Sequence, residues 1–157
     1  MAHEFKMQRR VEFAETDTAG IVHFSNFFRY MESAEHAFFR SLGLRVHSHS
    51  ESKIGGWARV NAACTYKSPL RNEDLVDVHL IVREKRTKSF IYDAVFTKQE
   101  DGKSIEVAHG SMTTVCIKNR AGDDALEATA IPKEVDALIE AAPPELVAEF
   151  LASSGRG

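Results

Sequence analysis

A chain of 157 residues, 43% hydrophobic and 27% charged, is long enough to bury a core and is balanced like an ordinary globular protein. Its formal net charge of -3 gives no general basic surface for a nucleic acid, and no stretch approaches the roughly 18 apolar residues of a membrane helix. The amino-terminal MAHEFKMQRR has no apolar run after its charges and is not a signal peptide, so the expectation is a soluble cytoplasmic protein of one domain over residues 1–157.

Residues 4–14 read as a strand with charged edges, and 15–26 (ETDTAGIVHFSN) as a turn-rich segment ending in a cap. Residues 27–42 read as a helix, because Phe27, Met31, Ala34 and Phe38 recur at three- and four-residue spacing and Gly43 follows the last turn. Residues 44–56 read as a polar loop. From Trp57 the period changes to two, which predicts strands near 57–67, 74–86, 89–99 and 104–118. Their connections are short, and Asp101-Gly102 marks a hairpin, so the sheet should be antiparallel. Residues 119–130 read as loop, and a helical segment follows over about 132–150. One amphipathic helix facing a long antiparallel sheet is an α+β layer solution, with its core over about 4–119.

The segment Asp17-Thr-Ala-Gly20-Ile-Val-His23-Phe24-Ser-Asn26 carries the densest chemistry, between a strand and the amino-terminus of the long helix. Free N–H groups and the helix dipole favour negative charge there. A carboxylate beside such a site can attack a carbonyl or deprotonate a water while an oxyanion forms. Gly20 permits a tight turn and close approach of a ligand. On the residues alone, an Asp17 that merely supports a turn is the competing reading.

The stretch FAETDTAGIVHFSNFFRYMESA resembles the signature of the 4-hydroxybenzoyl-CoA thioesterase family, whose members often show D-x-x-G-[IV]-V-aromatic-[YF]-x-N. The YKSPL turn at 66–70 and EKRTKSF at 84–90 extend the similarity over most of residues 7–118. The resemblance implies a hotdog fold, an antiparallel sheet wrapped around one long helix, and hydrolysis of an acyl-CoA thioester without a metal or redox cofactor. It implies Asp17 as nucleophile or base and the Phe24 backbone N–H as oxyanion donor, with Gly20 and His23 among the catalytic residues and Asn26 among those that bind substrate. Arg86 and Lys88 would contact CoA phosphates, with Arg83 or Lys85 helping, and an acidic residue at Glu32 would face the acyl pocket. Sites between subunits imply a homodimer or homotetramer. Many bacterial relatives carry tyrosine then histidine where this chain has His23-Phe24, which puts a histidine mechanism in doubt and is closer to the aromatic-acyl branches. Thr87 also departs, since the 4-hydroxybenzoyl branch has a basic residue there.

The remaining candidates favour structural readings. Glu35 and His36 read as solvated or packed locally, and Glu32 reads equally well as a surface glutamate. His47 and His49 make an HxH pair that lacks a third metal ligand. Cys64 and Cys116 fall on strands outside any CxxC pair, and neither a GxSxG elbow nor a phosphate-binding glycine loop occurs. Two other classes remain open: a hotdog hydratase or dehydratase, and a non-catalytic acyl-CoA binding protein.

Overall fold

Alternating apolar residues drive the strands. In β4 (Leu75–Lys85), Val76, Val78, Leu80 and Val82 are buried, as are Phe90, Tyr92, Ala94 and Phe96 in β5 (Ser89–Glu100). Each set shares one face because side chains alternate across a pleated strand. The structure, a computed structural model, describes residues 1–50 and 53–153. Among these, β1 (Glu4–Arg10), β2 (Ser48–Ser50), β3 (Lys53–Tyr66), β4, β5 and β6 (Lys103–Asn119) form an antiparallel sheet in the order β1-β4-β5-β6-β3-β2. A further short strand, β7 (Leu126–Ala128), pairs with the end of β6.

Helix α1 (Asn26–Ser41) lies on the inner face of this sheet. Phe27, Tyr30, Met31, Ala34, Phe38 and Phe39 are its buried apolar side chains, the stripe that the spacing predicts. Buried large apolar side chains contribute roughly 1.5–3 kcal/mol each, so packing rather than intrinsic propensity holds α1 in place. Gly110 of β6 allows the close approach, since a Cβ there would collide with Met31 Sδ. Phe27 meets Phe96 edge-on at 5.3 Å, and Trp57 stacks on Phe90 at 5.1 Å. An antiparallel sheet wrapped around one long helix is the α+β hotdog arrangement.

Several boundaries differ from the sequence reading. β1 stops at Arg10 rather than residue 14. Val11 N–H donates to Asp74 and its carbonyl accepts from Glu73, and Phe13–Glu15 then form a 3-10 turn. The loop read at 44–56 contains β2, paired with the start of β3, and the one at 119–130 contains β7. The last helical segment is two helices, α2 (Lys133–Asp136) and α3 (Pro144–Ser153), parted by a stretch whose Leu138, Glu140 and Ala142 backbone groups bond to Ala2 and Val82 instead of continuing a helix. Phe150 of α3 packs with Ile81 and Ala142 in a second apolar cluster, apart from the main core. No helix among the described residues is long and apolar enough to cross a membrane.

Candidate active site

The turn after β1 builds the site from its own backbone. Asp17 N–H donates to the Ile21 carbonyl, Gly20 N–H to the Asp17 carbonyl, and Thr16 bridges Val22. Gly20 closes the turn at φ +76°, a conformation that other residues rarely adopt. Asp17 Oδ1 accepts from the Ala19 N–H at 2.8 Å, which fixes the orientation of the carboxylate. A second loop, between β3 and β4, is strapped alongside: Val22 N–H donates to the Leu70 carbonyl, and Tyr66 Oη–H to the Phe24 carbonyl at 3.0 Å. Burial, and then the Cys64 thiol, push the Tyr66 phenol up to about 12, so it remains a donor. Burial pushes Cys64 itself up to about 11, which leaves a neutral thiol rather than a nucleophile.

The start of α1 offers a hydrogen-bond donor to the cleft. Asn26, Phe27 and Phe28 donate their N–H groups to His23, Phe24 and Ser25, whereas the Phe24 N–H has no acceptor among the described residues. His23 Nδ1 lies 2.7 Å from Ser25 Oγ and accepts from the Ser25 N–H, and its ring packs on Phe24 at 4.5 Å. Asn26 is turned to the backbone: its Nδ2 donates to the Glu15 carbonyl at 2.8 Å, pinning the helix start to the preceding 3-10 turn.

Glu15 is the residue that sequence reasoning missed. Its carboxylate accepts from the Glu12 N–H and Tyr30 Oη–H and pairs with Arg9 at 2.7 Å, while its carbonyl accepts from the His23 N–H and from Asn26. Arg9 also lies over the Tyr30 ring. One residue therefore ties β1, the turn and α1 together. Glu15→Ala should lower unfolding stability by about 3–5 kcal/mol, because it strands a half-buried arginine and a buried phenol. Chemical denaturation measures this, and a loss below about 1 kcal/mol contradicts the hub role.

Asp17, Ile21, Val22, Phe24 and Phe27 line one side of a cleft of about 620 Å³, with residues from Tyr66 to Arg71 on the other. His23, Asn26 and Glu32 are not among its lining residues. Glu32 stands farther along α1, with its side chain 62% exposed and 3.8 Å from Arg59 of β3. Its neighbour Glu35 is buried, not solvated, and pairs with Arg59 at 3.1 Å; burial raises its carboxyl despite that cation. Arg86 and Lys88 lie in the β4–β5 turn, at the opposite end of β4 from Leu75, which pairs with Arg10 just before the Asp17 turn. Eleven residues of strand put about 33 Å between those ends, so one chain does not bring these cations to its own Asp17. Arg83 pairs with Asp93, and Lys85 with Asp136. His47 packs against His36 at 6.1 Å, and the side chain of His49 lies outside the described residues. No group of three metal-binding side chains occurs among the described residues.

A helix-wrapping antiparallel sheet that sets a fixed carboxylate and a free N–H at a helix start into one cleft has the parts of a hotdog thioester hydrolase. The chain belongs to the Thioesterase-like superfamily, whose profile matches residues 11–139. It is 38% identical over 133 residues to a protein of Aquifex aeolicus strain VF5 provisionally named an esterase, covering 83% of this chain and 94% of that one. It is 28% identical over 109 residues to the 4-hydroxybenzoyl-CoA thioesterase of Pseudomonas sp. strain CBS-3, covering 68% and 77%. A solved gentisyl-coenzyme A thioesterase superposes with a TM-score of 0.67 at 30% identity, covering 84% of this chain and 99% of that one.

Proposed function

We propose that this thioester hydrolase acts on acyl-CoA esters with an aromatic acyl group, as a homodimer whose sites combine both chains. The observation that carries the hydrolytic reading is the pairing of the Asp17 carboxylate with the unpartnered Phe24 N–H. The thioester carbonyl oxygen points at that N–H, which bears the oxyanion with help from the α1 dipole. Asp17 either adds to the carbonyl carbon or takes a proton from an attacking water. The C–S bond then breaks, CoA leaves as its thiol, and the acid is released, after hydrolysis of the mixed anhydride in the first case. These steps use no metal or redox cofactor. His23 favours hydrolysis over the hydratase alternative, because its Nδ1 is engaged by Ser25 and its ring does not line the cleft.

The sheet edge supports the dimer. β2 pairs only with residues 53–55, so β3 from Trp57 to Tyr66 has β6 as its one sheet neighbour among the described residues. The Tyr66 end lies at the Phe24 carbonyl. The Trp57 end pairs with Cys116, whose N–H bonds the Lys88 carbonyl. Pairing two copies of this edge antiparallel places the Tyr66 end of one beside the Trp57 end of the other. Each Asp17 cleft then gains the partner's basic turn as a CoA site, and the partner's Glu32, beside Arg59, as the polar limit of the acyl pocket. A carboxylate there selects a ring hydroxyl more sharply than an apolar wall could.

Thiol release from aromatic, short aliphatic and long aliphatic CoA esters tests this reading. We expect aromatic esters to turn over fastest, and Glu32→Gln to reduce the preference for a hydroxylated ring more than it reduces turnover. Faster cleavage of straight-chain esters ends the aromatic assignment, and no thiol from any ester ends the hydrolase reading.

A further inference from the structure

We propose that Arg71 binds phosphate of the CoA arm at the rim of the Asp17 cleft. This rests on the acyl-CoA reading above. Arg71 lines that cleft, and its Nη1 lies 3.9 Å from where a Cβ on Gly20 would stand. Its backbone is held on both sides by Asp74: the Arg71 N–H donates to Asp74 Oδ2 at 2.8 Å, and its carbonyl accepts from the Asp74 N–H. The adjoining Leu70 carbonyl holds Val22. The guanidinium thus stems from a fixed loop and reaches over the turn that carries Asp17.

Neighbouring cations have carboxylate partners. Lys67, also on the cleft, pairs with Glu106 at 2.9 Å. Arg10 pairs with Glu73, and Lys98 with Asp74 and Glu100. Arg71 has no carboxylate within ion-pair distance among the described residues, although Asp17 lines the same cleft. An exposed guanidinium in this state offers its planar fork of donors to an incoming anion.

The anion is a phosphate rather than a charged group on the acyl moiety, for two reasons. Ile21, Val22, Phe24, Phe27 and Leu70 make the inner lining apolar, and an acyl anion placed among them would lose its hydration and face the Asp17 carboxylate. A phosphate at the rim keeps most of its water and still gains two parallel N–H bonds. The basic turn at Arg86 and Lys88 would then be a second contact, supplied in trans, while Arg71 acts in the chain that holds Asp17.

Calorimetric titration with free CoA and with pantetheine, which lacks the phosphates, reads this without requiring turnover. Arg71→Ala should weaken CoA binding about tenfold to a hundredfold and leave pantetheine binding unchanged, with Arg71→Lys intermediate. Equal weakening of both ligands, or unchanged CoA binding in a variant with wild-type melting, overturns the assignment. Thiol release by the wild type, measured in parallel, judges the hydrolase reading separately: turnover with Arg71-independent CoA binding sinks only the role of Arg71.

Discussion

Asp17→Asn should leave the fold intact and lower thioester turnover by at least about a hundredfold, the lower end of what a positioned base contributes. The substitution keeps the shape of the side chain, and the amide oxygen can still accept from the Ala19 N–H, so the turn to Gly20 survives. The anionic oxygen that attacks or takes the water's proton is lost. The measurement is kcat with a CoA ester, alongside thermal melting to establish folding. Because the Phe24 N–H and the cleft walls are untouched, KM should change far less than kcat, the pattern of a group that acts in the transition state. A folded variant with near-normal kcat removes Asp17 from the chemistry.

Two inactive variants should rescue one another when mixed. If each site joins Asp17 of one chain to Arg86 and Lys88 of the other, Asp17→Asn homodimers have no working carboxylate and Arg86→Ala/Lys88→Ala homodimers have no basic turn. A mixed dimer holds one site damaged twice and one intact. Random exchange of equal amounts makes half the dimers mixed, each with one good site of two, so activity at low CoA-ester concentration should recover to about a quarter of wild type. The cis alternative conflicts with the strand length that separates Leu75 from Lys85. Denaturing and refolding the variants together, then assaying against each alone, decides the matter. No gain on mixing, with dimers present, rejects the shared site.

The parts legible in the sequence were those written in local periods. The stripe on α1 and the alternation in β4, β5 and β6 follow from side-chain geometry, and they appear where the spacing predicts them. The Asp17–Asn26 segment stood out because glycine, carboxylate and helix start fall within ten residues. Other features depend on partners far along the chain. β2 and β7 are three residues each, too short to show a period. The local pattern around Val11 gave no sign that its pairing with the chain at Glu73 and Asp74 is the last before the 3-10 turn. Glu15 gains its role only when Arg9 and Tyr30 converge on it, and Arg71 reaches the cleft only once the β3–β4 loop lies beside the Asp17 turn, so neither carries a local signal. Arg86 and Lys88 fall where two predicted strands meet, but spacing along one chain does not tell that this turn lies at the far end of the sheet from Asp17.

The flank of β3 that no described residue pairs with also bears on how the protein is handled while it is being made. From Trp57 to Tyr66 it presents backbone donors and acceptors with no proline or lysine to discourage a stranger, and Val60 there is 61% exposed. Such a rim can template an extended chain that meets it, and in the dimer proposed above it would stay open until the second copy pairs with it. Catalytic assembly and protection from aggregation would then be one event, and dilution or crowding during synthesis would alter the yield of usable enzyme as well as its rate.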